Sequence, residues 1–262
     1  MPIAKKDVKT VNDLQCYLQE QTDKADRLYH YTTYESLLCI LKNKCFRLSR
    51  MDLLNDKAEI KLGKSNEHIR NYIMSFTREK EYVSMWAMYG KASGIKLRLD
   101  FPKEQFSKVI NNNFYFDPQL TNKIPLYDSV DPGHFSKKDY LISDIVYIDK
   151  RSNELRHNEK KFSGIVADSY LVDEMSGFIK YDAWEFERET RLKVRLYNLN
   201  NAEVPRYLFA GINDNLIQSF HVTFNPWISA EMKNEIKKSI CNLSGFSIDC
   251  DDSANDGEIT EL

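Results

Sequence analysis

The sequence predicts a single α+β domain, and three features of the chain lead to this fold class. Strand patterns and helix patterns alternate irregularly, with helices between some strands only, which favours α+β over a doubly wound parallel sheet. The 262 residues are 42% hydrophobic and 29% charged, values that are typical of globular proteins. No internal repeat or low-complexity linker divides the chain. Residues 1–250 are therefore predicted as one domain, and residues 251–262 as an acidic flexible tail.

The composition also argues against several other classes of protein. No apolar stretch reaches transmembrane length, and the start MPIAKKDVKT lacks the apolar run of a signal peptide. The five cysteines have no C-x-x-C spacing, which indicates reduced thiols and not a disulfide framework or a zinc site. The formal net charge of −2 neither demands nor excludes a nucleic-acid partner. We therefore expect a cytoplasmic protein that does not associate with membranes.

Capping signals and apolar spacing predict the elements of the first hundred residues. Thr32 and Glu35 form a T-x-x-E capping box, which starts a helix directly after a short strand. The segment IKLRLDF alternates strictly between apolar and polar residues, as a strand does. In chain order, the predicted elements are a helix over 8–24, a strand over Arg27–Tyr31, the helix after Thr32, a strand over Cys45–Ser49, a helix capped by Asp56 with Glu59, a strand over Tyr72–Thr77, a short helix over Ser84–Gly90 and a strand over Ile95–Phe101.

The second half of the chain begins with a segment, residues 111–138, that is rich in Asn, Asp, Pro and Gly. This composition predicts a long loop or an insertion. The elements predicted after it are a strand over Tyr140–Ile148, mostly helix over 153–180, a strand over Glu185–Leu196, a strand over Leu216–Phe224, a helix from Ser229 to about Leu243 and a final strand over Phe246–Cys250. On the strand over Glu185–Leu196, the leucines and the valine are predicted to face the core. The residues predicted to face outward there are Arg191, Lys193 and Arg195.

The cluster WEFERETR is the strongest candidate for chemistry. On a strand, Glu187, Glu189 and Arg191 share one face. A guanidinium beside two carboxylates can hold one carboxylate ionised and aim it. Such a carboxylate can stabilise an oxocarbenium ion, as carboxylates do in glycoside chemistry. The alternative is a solvated strand face whose charges pair with a neighbouring strand, and the pattern alone favours this alternative.

Two further clusters contain candidate ligand-binding residues. His30 and Tyr31 lie at the carboxyl end of a strand and just before a helix, where side chains commonly face a cleft. A lone histidine at such a place is nevertheless more often structural, and Thr32 is already explained as a helix cap. Trp86 and Tyr89 have the i, i+3 spacing of core packing, although the glycine after Tyr89 is compatible with a ring that lines a cleft.

Together the clusters resemble a widespread bacterial family of unknown-function domains. Its pattern is a Y-H-Y-T/S start, N-D-P-x-E, C/S-F-S, M-W-x-x-Y-x-x-x-x-x-G and W-x-x-E-x-E-x-R. This chain has LYHYT, LLND, SFT, MWAMYG and WEFERETRL in that order, over Leu28 to Leu192, with a weaker echo at FNPWISAEMKNEI. Lys57 replaces the proline that usually follows Asn-Asp, which puts that one motif in doubt.

The same layout more distantly resembles ADP-ribosyltransferases of the His-Tyr-Glu type. This resemblance implies a mixed or antiparallel split sheet with flanking helices, and NAD as the substrate. It implies that Glu189 is the catalytic carboxylate and that Glu187 is its helper. The cofactor-binding residues that it implies are His30 at the ribose hydroxyls, Tyr89 on the nicotinamide ring, Tyr31 as a competitor for that place, and Thr32 and Arg191.

The resemblance also implies partners and a biological role. ADP-ribose would be transferred to a macromolecule, either protein or nucleic acid, by a bacterial toxin or anti-phage effector that an antitoxin-like partner restrains. A basic stripe near the proposed site offers phosphate contacts, but on an exposed strand it is usually a solvated face. The residues of this stripe are Arg188, Arg191, Lys193 and Arg195.

Two other functions remain open at this point. One is a non-catalytic nucleotide- or partner-binding module of a bacterial defence system, which would use the same cleft. The other is a nuclease, which requires a group of carboxylates for Mg²⁺. The sequence offers only Glu187 and Glu189 for such a group, so no metal site is predicted.

Overall fold

The computed structural model describes residues 16, 27–54, 69–78, 81–90, 93–100, 114–116, 140–148, 177–197 and 205–256. These residues form a mixed α+β structure whose strands are mostly antiparallel, which confirms the predicted class. The chain divides into two compact units. We call residues 1–25, 48–75 and 125–208 the Glu189 unit, and residues 26–47, 76–124 and 209–262 the His30 unit.

The His30 unit contains a sheet of short strands with helices. Its elements are β1 (Arg27–Thr33), α1 (Tyr34–Asn43), α2 (Val83–Met85) followed by a π-helix (Trp86–Gly90), β4 (Gly94–Asp100), β5 (Phe114–Tyr115), α3 (Asp214–Gln218), β11 (His221–Phe224), α4 (Ala230–Ser244) and β12 (Asp249–Asp251). Strands β1 and β4 are antiparallel along the whole length of β1. Strand β11 pairs antiparallel with β4 and parallel with β12, and α1 packs against α4.

Helix α1 begins one residue later than its capping box predicts. The cap is Thr33, whose hydroxyl oxygen accepts a hydrogen bond from the Ser36 N–H at 3.3 Å. Thr32 lies in β1 instead, where it is opposite Ile95 of β4. The predicted cap is wrong because β1 continues through Thr33, which pairs with Gly94 of β4. This pairing is a tertiary contact that overrides the local capping signal.

The predicted helix over Ser84–Gly90 consists of a single α-turn, α2, and then a π-helix. Two glycines permit this geometry. A Cβ on Gly94 would lie 2.3 Å from the carbonyl oxygen of Gly90, and a Cβ on Gly90 would lie 2.9 Å from the side-chain nitrogen of Asn225. Gly94 faces backbone atoms that cannot move aside, so this position requires glycine, whereas a side chain at Gly90 would have to displace Asn225.

The strand predicted over Leu216–Phe224 is wrong in its first half. Asn213 accepts a hydrogen bond from the Leu216 N–H at 2.9 Å and so caps α3, in which Leu216 and Ile217 are both buried. Adjacent buried residues fit a helix and not an alternating strand. The strand itself is β11, and the predicted cap of α4 at Ser229 is confirmed.

The Glu189 unit is formed by strands around β9. Its elements are β6 (Tyr140–Asp144), β7 (Val146–Ile148), β8 (Ile179–Tyr181), a 3₁₀ helix (Asp182–Glu187) and β9 (Glu189–Tyr197). Strands β2 (Cys45–Arg50), β3 (Ile69–Thr77) and β10 (Tyr207–Gly211) contribute residues to both units. Strand β9 pairs with β3 and, antiparallel, with β6, whereas β7 and β8 are parallel.

Strand β9 begins at Glu189 and not at Glu185 as predicted. The preceding residues form the 3₁₀ helix, and Arg188 ends it with a left-handed backbone of φ 42°. The strand predicted over Tyr140–Ile148 is likewise divided in two at Ile145, whose N–H donates to the Glu189 carbonyl oxygen at 2.8 Å. The start of β9 at Glu189 is therefore contacted by a segment more than 40 residues earlier in the chain, roughly beyond the reach of local sequence patterns.

The outward-facing cations predicted on β9 are buried. Arg191 and Lys193 are each 2% exposed, and Arg195 is 7% exposed. The alternation of polar and apolar residues along β9 therefore does not separate a solvent-exposed face from a buried one. The ammonium of Lys193 lies 4.8 Å from the ring centroid of Phe178, which is a favourable cation–π contact. The basic stripe is thus part of the interior, except for Arg188, which is exposed.

Several predicted features lie outside the described residues. These are the helix over 8–24 apart from Cys16, the helix capped by Asp56 with Glu59, residues 153–176 of the predicted helix, and residues 257–262 of the acidic tail. Of the predicted insertion over 111–138, residues 114–116 are described, and β5 lies there. Residues 177–180 are not helical. Among the helices of the described ranges, none has the length and apolar character that crossing a membrane requires.

Candidate functional site

The Glu189 carboxylate is held by four donors at the first residue of β9. Its Oε1 accepts hydrogen bonds from Arg191 Nε at 2.6 Å and from Ser75 Oγ at 2.5 Å. Its Oε2 accepts from Arg191 Nη2 at 3.0 Å and from Lys180 Nζ at 3.2 Å. The fork of Arg191 therefore grips both oxygens, an arrangement that fixes the plane of the carboxylate.

The backbone and the neighbouring side chains fix this group further. The hydroxyl oxygen of Tyr147 accepts a hydrogen bond from the Glu189 N–H at 2.7 Å. The remaining terminal nitrogen of Arg191, Nη1, donates to the Gly177 carbonyl oxygen at 2.8 Å. Lys180 Nζ also donates to Glu187 at 2.5 Å, so the carboxylates of Glu187 and Glu189 converge on one ammonium group.

Burial and charge act in opposite directions on this cluster. Burial disfavours the ionised form of Glu189, but the positive charges of Arg191 and Lys180 and the hydrogen bonds from Arg191 and Ser75 outweigh it and lower its pKa to about 2. Burial also opposes the charge of Lys180, while Glu189 and Glu187 raise the pKa of its ammonium group. The two carboxylates and the two cations named here balance, and all four side chains are at most 8% exposed.

An aromatic pair lies beside the ionic cluster on the 3₁₀ helix. Lys180 Nζ is 4.8 Å from the ring centroid of Trp184, and the rings of Trp184 and Phe186 have centroids 6.2 Å apart. Phe186 is 39% exposed. The ammonium of Lys180 is therefore surrounded by two carboxylates and an aromatic face, a combination that stabilises positive charge.

Three members of this site are absent from the sequence prediction. Ser75 belongs to the SFT motif, which is a usable signal, because the motif is part of the family resemblance. Tyr147 and Lys180 lie in segments without any motif, and nothing local distinguishes them from other residues of a strand. Glu187, Glu189 and Arg191 do come together as predicted, although Glu187 does so from the end of a helix and not from the strand.

The candidate ligand-binding residues of the His30 unit differ in their accessibility. His30 is half-buried, with its ring centroid 5.7 Å from that of Phe76. Tyr31 is buried edge-on against Trp86 at 4.8 Å, and its hydroxyl oxygen accepts from the Tyr82 N–H at 3.3 Å. Burial raises the pKa of the Tyr31 hydroxyl. Its side chain thus serves the interior of the unit.

Tyr89 is the more accessible of the two competing tyrosines. It is on the π-helix and 39% exposed, whereas Trp86, at the start of the same helix, is fully buried. Trp86 thus has the core position that its spacing predicts, and the place of the Tyr89 ring in a cleft stays a prediction. That His30, Tyr89 and Glu189 bind one ligand stays a prediction.

In the part of the chain that the structure describes, no three or more His, Cys, Asp or Glu side chains are grouped so that they could hold a metal ion.

Comparison with known proteins places part of the chain beside a protein family. Residues 85–192 match a family model described as protein of unknown function (DUF2971). No curated protein and no solved structure matches the chain. The match supports the resemblance to a family of unknown-function domains. It includes the motifs that contain Tyr89 and Glu189, and it leaves the Y-H-Y-T motif around His30 outside.

Proposed function

We propose that this protein is an NAD-consuming, ADP-ribosyltransferase-like enzyme in which Glu189 is the catalytic carboxylate. The observation that carries the proposal is the fixed, ionised Glu189 carboxylate, which shares the Lys180 ammonium with Glu187. A charge that is already oriented before the reaction stabilises a transition state without the cost of reorganisation. The E-x-E pair of the resemblance thus coincides with a buried ionic group in which four hydrogen bonds hold Glu189.

The proposed reaction separates charge at the ribose of NAD. The bond between the nicotinamide nitrogen and the ribose carbon breaks, and its electron pair leaves with nicotinamide. Positive charge develops on the ribose and is stabilised by the Glu189 carboxylate. The acceptor atom then forms a bond to the same carbon and loses its proton. One such electrostatic interaction contributes about 3 kcal/mol, or roughly a hundredfold in rate.

Lys180 has a defined part in this proposal. Its contact with Glu189, at 3.2 Å, is the longest of the four that hold this carboxylate, and its contact with Glu187 is much shorter, at 2.5 Å. A developing positive charge on the ribose would compete with this ammonium for Oε2 of Glu189. Because Glu187 can retain the ammonium, its helper role is to draw Lys180 aside while Glu189 faces the substrate.

The roles of the cofactor-binding candidates change accordingly. Arg191 uses Nε, Nη1 and Nη2 on Glu189 and on the Gly177 carbonyl oxygen, so we assign it to positioning Glu189 and not to contact with NAD. Tyr89 is preferred over Tyr31 for the nicotinamide ring because its ring is accessible. His30 keeps its proposed place at the ribose hydroxyls. A toxin or anti-phage role remains part of the proposal through the resemblance alone.

The charge balance of the same cluster favours a second candidate function. Two buried carboxylates matched by two cations are also what a purely structural ion network requires, because a buried charge without a partner is costly. In that case the protein is a non-catalytic nucleotide- or partner-binding module, and Glu189 serves stability alone.

Labelled NAD separates the two functions. Wild type and Glu189→Gln are incubated with NAD labelled in its ADP-ribose part and with cell lysate, and label on macromolecules is counted. We expect Glu189→Gln to lose about a hundredfold of the label, because the amide carries no charge to stabilise the ribose. The matched control is Glu185→Gln, on the exposed side of the same segment, which should label like the wild type.

The comparison is made at a temperature at which all three proteins are folded by circular dichroism. Equal labelling by wild type and Glu189→Gln, or no label with either, would contradict the transferase and favour the binding module.

A further inference from the structure

Residues Asp252–Asp256, which we call the C-terminal segment, are anchored on the His30 unit. The segment follows β12, and Lys233 of α4 contacts Asp252 at 2.8 Å and Asp256 at 2.7 Å. Both ends of the segment are thus tied to one lysine. This part of the acidic tail is packed against the protein by specific contacts.

The middle of the C-terminal segment reaches one partly buried carboxylate, that of Glu81. The hydroxyl of Ser253 donates to Glu81 Oε1, and the side-chain nitrogen of Asn255 donates to the same oxygen at 3.0 Å. The Asn255 N–H donates to Ser253 Oγ at 3.1 Å, which orients the hydroxyl. Ser253 is 6% exposed, so its hydrogen bond is made away from bulk water.

Glu81 also holds the residue that begins the π-helix. It accepts hydrogen bonds from Trp86 Nε1 and from Lys96 Nζ, both at 3.0 Å. Burial disfavours the charge of Glu81, but these donors and Ser253 lower its pKa to about 2. Glu81 is therefore a shared acceptor that connects the C-terminal segment to Trp86.

The π-helix depends on such external support. Its i→i+5 pattern is rare and is retained where the surroundings hold it, often at functional sites. Trp86 is fully buried at its start, and Gly90 is confined at its end by Asn225 and by the Trp86 ring. Tyr89 lies between these two fixed points, so its position follows from theirs.

We propose that Ser253 and Asn255 are positioning residues, which set the place of Tyr89 through Glu81 and Trp86. The role of Tyr89 in binding the nicotinamide ring rests on the proposed function. The support of the π-helix by the C-terminal segment does not depend on it. A chain that loses this support keeps its ionic cluster at Glu189 and binds NAD less tightly.

The test uses an isosteric pair in the full-length protein. Ser253→Thr keeps the hydroxyl, and Ser253→Val replaces that hydroxyl by a methyl group. Valine and threonine have the same shape, so any steric effect of the added methyl group is common to both variants. Hydrogen exchange is followed by mass spectrometry in peptides that cover residues 82–90 and, as an internal reference, residues 189–197. We expect exchange over 82–90 to become about tenfold faster in Ser253→Val and in Asn255→Leu, with Ser253→Thr close to the wild type.

Steady-state kinetics with NAD then tests the functional half. We expect KM for NAD to rise several-fold in Ser253→Val with kcat little changed, because binding and not the chemical step depends on Tyr89. Faster exchange over 82–90 in a protein that never labels with NAD would support the positioning and refute the proposed function. Unchanged exchange over 82–90 would overturn the positioning, and so would an equal increase in both peptides, since the segment would then stabilise the whole fold.

Discussion

At the scale of single residues, the site is defined by how the charge of Glu189 is compensated. A buried carboxylate survives in an interior only when donors and opposite charges replace its lost water. Arg191, Lys180 and Ser75 supply that replacement, and they leave Glu189 ionised and rigid. The contacts that offset the desolvation of the Glu189 carboxylate also give it the fixed orientation that catalysis requires.

The depressed pKa of Glu189 makes stability depend on pH in a defined window. Because its folded pKa of about 2 lies below its ordinary value of 4.5, the group contributes stability above pH 4.5 and loses it as the pH falls towards 2. The loss amounts to roughly 3 kcal/mol when complete. Urea unfolding at pH 7, 5, 4 and 3 should show the difference in unfolding free energy between wild type and Glu189→Gln shrinking as the pH falls.

The control for this prediction is Glu185→Gln, which removes an exposed carboxylate from the same segment. Glu81 titrates in the same window and is present in all three proteins, so it cancels from the difference. A gap between wild type and Glu189→Gln that stays constant from pH 7 to pH 3 would show that Glu189 is not held ionised by its neighbours.

At the scale of elements, the important step is the passage from the 3₁₀ helix into β9. Arg188 joins the helix to the strand and has a left-handed backbone conformation. Glycine adopts this conformation freely, and other residues adopt it at a cost in free energy. The turn brings the Glu187 carboxylate, at the end of the helix, and the Glu189 carboxylate, at the start of the strand, to one ammonium group. Backbone strain is commonly retained at functional sites, and Arg188 lies between two candidate site residues.

Arg188→Gly should be more stable than Arg188→Ala by about 1 kcal/mol. Both variants lose the same side-chain contacts beyond Cβ, so the comparison isolates the backbone. The unfolding free energies of the two variants in urea give the difference directly. An alanine variant as stable as the glycine variant would mean that Arg188 does not hold the left-handed conformation in solution.

At the scale of the whole molecule, the burial of the basic stripe bears on the acceptor. Arg191, Lys193 and Arg195 are interior side chains, and only Arg188 of the stripe is exposed. Affinity for nucleic acid comes largely from exposed cations on phosphates. The stripe therefore provides little of the surface that a nucleic-acid acceptor needs, and we expect the proposed transferase to modify protein.

Nuclease and protease treatment of the labelled lysate tests this expectation. Label should survive ribonuclease and deoxyribonuclease and be released by protease. Labelling should also fall only slightly between 50 and 200 mM salt, because few phosphate contacts are made. Label that nucleases release, together with a steep dependence on salt, would assign the acceptor to nucleic acid.

Much of the local structure could be predicted from the sequence. The cap of α4 at Ser229, the alternating strand β4 and the α+β class follow from short-range patterns, and so does the grouping of Glu187 with Glu189. These features are encoded by neighbours along the chain, through hydrogen bonds and side-chain periods that span a few residues. These features can therefore be predicted without knowledge of the tertiary structure.

Only the tertiary structure decided where the charges go. Alternation predicts the polar residues of β9 to be wet, but packing on both faces buries Arg191 and Lys193. The partners of Glu189 come from Ser75, 114 positions earlier in the chain, and from Lys180, and those of Glu81 come from Ser253, 172 positions later. Such pairings depend on which segments become neighbours in the fold. The sequence by itself determined which residues have the chemical groups for the site, and the tertiary structure determined which of them come into contact.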